Sequence, residues 1–119
     1  MKKVGDRANI CVKDEAHDNG VFLYTHWDGS VLPQTLQNAL KKKERWDDTP
    51  YLTRIIFDQM TENNHGGTLG FGISSYACDG DHRVIYVDVR AQTVSRKKYT
   101  FTFEQFVSMD VSEFWAITS

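Results

Sequence analysis

No stretch of this sequence approaches the ~20 consecutive apolar residues of a membrane span. The opening MKKVGDRANICVK also lacks the apolar middle of a signal peptide. The expectation from both absences is a cytosolic protein without a membrane partner. Charge of one sign is not in excess either: the net charge is −2. Nucleic acid is therefore not the expected partner, nor is an anionic membrane surface, because both are bound through a basic excess. Cysteine is scarce, and Cys11 and Cys78 lie far apart in separate strand-like segments. In a reducing compartment they are expected to be core thiols rather than a disulfide.

Motifs that mark chemistry are missing as well. The four histidines, His17, His26, His65 and His82, form no H-x-H or H-x₃-H, and no C-x₂-C accompanies them. Spacing thus supports no metal site and no metal cofactor. His17 and His82 fall in predicted turns, where a solvated ring is expected. There is no G-x-S-x-G elbow, and GTLGFG (67–72) resembles a phosphate loop only in its glycines. Those glycines read as a bulge or close strand packing. KKKER (41–45) and SRKK (95–98) are not interleaved with aromatics and read as solvated ends. No catalytic residue is assigned.

What is present suits one globular domain: 119 residues, 40% hydrophobic and 25% charged, with no linker or repeat. The 13% aromatic share points to a core of large rings. RANICVK (7–13) and VFLYTHW (21–27) read as a hairpin, with Asn19-Gly20 supplying its turn. From Ser30 the period becomes helical, with Leu32, Leu36, Ala39 and Leu40 on one side and Pro33 in the first turn. Thr49 is the predicted N-cap of a second helix with Pro50 at its first position, and ENNHGG is its stop. Three strands follow: 67–77, then RVIYVDV (83–89) as the central one, then YTFTF (99–103). A short helix is predicted over 104–109, and Phe114-Trp115 is expected to pack on the core. The order ββ-αα-βββ, with a short C-terminal helix, implies an α+β fold. Its sheet would be mostly antiparallel, of about five strands, with the helical pair on one face.

YTHWDG (24–29) crowds polar aromatics ahead of a tight turn and a helix. Two readings stay open. In one, Tyr24 and His26 are amphipathic wall residues at a sheet–helix junction. In the other, Tyr24, His26, Trp27 and Asp28 border a ligand or partner site at the strand's end, with Trp46, Asp47, His65, Gly66 and Gly67 contributed by the helix termini. Alternation puts Trp27 in the core, on the strand face shared with Val21 and Leu23, and leaves Trp46 partly exposed beside Asp47 and Asp48 at the other end of the helix. Ala8 to Val12 carry little charge, so a two-fold homodimer through that strand's edge is a further expectation.

GDRANICVKD (5–14), GVFLYTHWDGSVLPQTLQNAL (20–40), RWDDTPYLTRIIFDQM (45–60), GFGISSY (70–76) and VIYVDVRAQTV (84–94) carry a resemblance. The chain resembles a family of small proteins encoded by bacteriophages, prophages and actinobacterial-type genomes. The departure is at KKKER, where that family is Arg/Gly-rich. The resemblance carries no catalytic residue. It implies a mobile-element accessory protein of the bacterial host cytoplasm that acts by binding: an inhibitor of an antiviral defence system through contacts with a host protein or complex. The alternative is a sponge or sensor for a nucleotide held near Tyr24, His26 and Trp27, and the third choice is an enzyme of unassigned type.

Overall fold

The computed structural model describes residues 5–14, 20–82 and 84–119. The predicted Asn19-Gly20 turn and His17 therefore lie partly or wholly outside the described residues, as does Arg83 at the predicted start of the central strand. The fold is α+β, as expected. One open sheet runs in the order β3-β2-β1-β4-β5-β6. Its strands are β1 (Ala8–Lys13), β2 (Val21–Thr25), β3 (Phe71–Ser74), β4 (Ile85–Asp88), β5 (Thr93–Arg96) and β6 (Tyr99–Thr102). All neighbours are antiparallel except β1 and β4, which pair in parallel from Ile10↔Ile85 to Lys13↔Asp88.

Two expectations change here. The sheet has six strands rather than five, because β5 is a strand of its own. Thr93, Ser95 and Arg96 make it too polar to recognise, but Val94 sits opposite Val87 and is buried. Second, β1 is not an edge. It lies between β2 and β4, so Ala8 to Val12 have both ladders filled and cannot carry the expected dimer contact.

The helices are α1 (Leu32–Leu40), α2 (Thr49–Met60), α3 (Phe103–Ser108) and α4 (Phe114–Ile117). Alternation dictates which side of the sheet they cover. Ala8, Ile10, Val12, Leu23, Ile85, Val87 and Val94 point to the helical side, where they meet Leu36, Leu40, Leu52, Ile56, Phe106 and Phe114 in one core. The first two helices are neighbours, and α2 packs across β1 and β2. Asp48, not Thr49, caps α2: its carboxylate accepts the Tyr51 N–H at 3.3 Å, so Pro50 falls one place later than predicted. Thr102 and Gln105 form a reciprocal capping box at α3. Gln37, buried on α1, donates through Nε2 to the carbonyls of Phe106 (2.9 Å) and Met109 (2.7 Å) and so ties α1 to the end of α3.

The opposite side of the sheet has no helix among the described residues. Part of it is covered by the segment joining β3 to β4. Asn9 on β1 holds that segment twice, donating from Nδ2 to the Cys78 carbonyl (2.8 Å) and accepting the Cys78 N–H (3.1 Å). Cys11 is buried on the same side, and burial pushes its thiol pKa up, which keeps it neutral and inert. Cys78 is only half-buried, so the expectation of a core thiol holds for Cys11 alone; both cysteines are free.

Candidate binding surface

The YTHWDG cluster forms where β2 ends. Thr25 is buried, and its Oγ1 accepts the N–H groups of Trp27 (3.4 Å) and Asp28 (3.1 Å). That local turn breaks the strand's alternation one residue before Trp27. The expectation that Trp27 is core is therefore overturned: the residue is 47% exposed. It lies over Gly70, where an added Cβ would meet it at 2.2 Å, and edge-on to Phe71 at 6.2 Å. Gly70 has φ +91, so this position demands glycine twice over. The backbone seals the corner through His26 N–H to the Gly70 carbonyl at 2.8 Å.

Tyr24 and His26 share a hydrogen bond between the phenol oxygen and Nδ1 at 3.0 Å. Partial burial pushes the Tyr24 phenol pKa up, against a smaller pull from Arg7, so the hydroxyl stays protonated. Both residues line a groove of about 400 Å³ with Trp27, Leu69, Gly70 and Phe71. Asp28 lines a second groove beyond Trp27, beside Met60, Asn63 and Asn64 at the end of α2. His65, Gly66 and Gly67 border a third, which shares Asn64 and Phe71 with the second. The structure thus brings Tyr24, His26, Asp28, His65, Gly66 and Gly67 onto one strip around Trp27 and Phe71.

Trp46 and Asp47 do not join it. They precede α2, whose twelve residues span about 18 Å, whereas Trp27 sits beside the other end of that helix. Trp46 is half-buried: its indole N–H donates to the Leu40 carbonyl at 3.1 Å and its ring stands edge-on to Phe103 at 5.2 Å. It anchors the α1–α2 link to the core. Asp47 is exposed.

Sequence reasoning missed the neighbouring edge. From Asn63 through Cys78 the chain has no Asp, Glu, Lys or Arg. This segment holds β3, which ends the sheet. Leu69 (71%), Ile73 (62%) and Tyr76 (68%) are exposed along it, and Leu69 lines the groove beside Trp27. The signal was legible as a neutral run, but its glycines made it look like a weak strand. The other edge, β6, is entered through Lys97 and Lys98 and left through Glu104.

His82 also differs from expectation. It is not a solvated turn residue: Nε2 lies 2.7 Å from an Asp6 carboxylate oxygen, and the ring stacks on Trp115 at 4.6 Å and 18°. Asp6 accepts the Ser30 N–H as well, and the Trp115 indole donates to the Gly29 carbonyl at 2.9 Å. The partners come from residues 6, 29–30, 82 and 115, so no local spacing announces them.

Among the described residues, no helix is long and apolar enough to cross a membrane, and no group of three or more His, Cys, Asp or Glu is placed to hold a metal ion. Compared with known proteins, the chain matches no family model, no curated protein and no solved structure.

Proposed function

We propose that this protein acts by binding rather than catalysis, and that an extended segment of a host protein adds to the sheet at β3. The observation that carries the reading is the β3 edge itself. Soluble proteins guard an open edge with charge, proline or a covering segment, because its unpaired N–H and C=O groups template another strand. β6 has flanking charges; β3 has none and adds exposed Leu69, Ile73, Tyr76 and Trp27. Strand addition uses the backbone for affinity and alternate side chains for selectivity. Trp27 and the grooves beside it supply the aromatic anchor that such contacts favour. The phage-type resemblance gives the partner class: a component of a bacterial antiviral defence system, blocked by occupancy.

The nucleotide alternative at Tyr24, His26 and Trp27 has less support. The residues lining that groove include no lysine or arginine to meet a phosphate. The test is capture from host lysate by the wild-type chain and by Ile73→Lys. Ile73 is exposed, so the lysine should leave stability within about 0.5 kcal/mol. Wild type should retain a stoichiometric defence-system protein that Ile73→Lys loses. Equal capture by both, or no such partner for either, counts against the reading.

A further inference from the structure

Neither backbone conformation nor packing accounts for the glycine at position 72, inside β3. Its φ is not in the left-handed region, and a Cβ built on it meets nothing within 4 Å among the described residues. Gly70 is the contrast, with φ +91 and the Trp27 ring lying on it. Glycine weakens a strand, and in a strand it commonly marks a place where another backbone comes close. Gly72 is thus a gap in the sheet edge, and Tyr24 stands opposite it on β2. We infer that this gap receives an aromatic side chain from the segment that adds to β3, and that the same segment carries a lysine or arginine opposite Phe71. The inference rests on strand addition at β3 and names the kind of segment that fits there.

The existing ladder sets the register. The His26 N–H donates to the Gly70 carbonyl, and Tyr24 pairs with Gly72 and Phe22 with Ser74. Gly72 and Ser74 therefore direct their N–H and C=O groups to β2, whereas Phe71 and Ile73 turn theirs outward. An antiparallel segment bonds to Phe71 and Ile73. Its residue opposite Gly72 then sits in a non-hydrogen-bonded pair, where side chains come closest. A ring at that place covers an edge glycine, as Trp27 covers Gly70 within the chain. The segment residues opposite Phe71 and Ile73 face the helical side, because Thr25 and Leu23 across the ladder are buried there.

Charge selects the residue opposite Phe71. Phe71 lines all three grooves of the strip, whose walls include Asp28 and Asp58 and no lysine or arginine. Met60 and Thr61 bring the C-terminal end of α2, with its negative dipole, to the same place. Asp58 also meets Arg54 at 3.5 Å, but that pair is exposed and contributes little. From its amino end, the segment therefore runs apolar, aromatic, basic.

The experiment is selection of random peptides of about ten residues on the full chain, followed by fluorescence titration of the enriched sequences. Enriched peptides should share the apolar–aromatic–basic triplet. Ile73→Lys should bind them at least about tenfold more weakly; undiminished binding would overturn strand addition and this inference with it. On wild type, replacing the peptide's aromatic residue by valine should weaken binding about fivefold, the upper range of a cross-strand pair. Gly72→Val fills the gap and should melt no lower than wild type. On that variant the same peptide replacement should change little. If Ile73→Lys disrupts binding but both proteins prefer the aromatic equally, the inference is overturned and strand addition stands. Enriched peptides without the triplet have the same meaning, and no enrichment at all overturns both.

Discussion

Trp27 and Trp46 are of equal size and each stands before an aspartate, yet the fold gives them opposite duties. Strand alternation extended through residue 27 puts Trp27 inside. The Thr25 hydroxyl, by accepting the next two free N–H groups, turns the chain first and swings the ring onto Gly70 at the surface. Trp46 lies in a polar link, yet its indole N–H finds the Leu40 carbonyl and its ring finds Phe103. Trp46→Ala is expected to cost about 2–4 kcal/mol by opening a cavity against the core, and Trp27→Ala only about 1 kcal/mol. Urea unfolding of the two variants checks the order. If Trp27→Ala is the more destabilised, the placement of the β2–α1 corner is wrong. Partner capture should show the reverse order, since only Trp27 borders the β3 strip.

At the scale of elements, what was legible was what is local. Leu32, Leu36, Ala39 and Leu40 recur at helical spacing and are all buried; Val21 to Thr25 alternate, and Leu23 and Thr25 face the core. The rest depended on pairing between distant segments. The parallel contact of β1 with β4 moves β1 from edge to centre, and nothing in residues 8–13 encodes it. β5 is recognisable as a strand only once Val94 is opposite Val87. The α2 cap moved by one place because Asp48 and Thr49 are both good caps, and Asp48 is the one with extended backbone. Of the candidate site, the strip around Trp27 was legible as an aromatic cluster beside glycine turns. Its continuation along β3 was hidden by Gly70 and Gly72. Gln37 shows a different gap, a polar residue at a buried helical position whose partners lie on α3 and just beyond it. Gln37→Leu keeps the volume but leaves two carbonyls without this donor. The expected loss is about 1–3 kcal/mol, read as a lower urea midpoint with unchanged slope. A midpoint equal to that of wild type would show that the α1–α3 tie contributes nothing.

The whole molecule is one twisted sheet with helices on one side, a partly covered second side, and two unlike edges. The edge with lysines and the edge with none are at opposite ends of the strand order, so a partner strand can add at β3 without meeting Lys97 or Lys98. The central claim is that β3 is where a partner binds. Hydrogen–deuterium exchange of the free chain against the captured complex tests it most directly, because β3 is hydrogen-bonded on one side only and its outward amides exchange freely until a strand covers them. The account predicts slowed exchange from Leu69 to Tyr76 and around Trp27 in the complex, with β6 unchanged. Protection confined to the helical face or to β6, with Leu69 to Tyr76 exchanging as in the free chain, would contradict it.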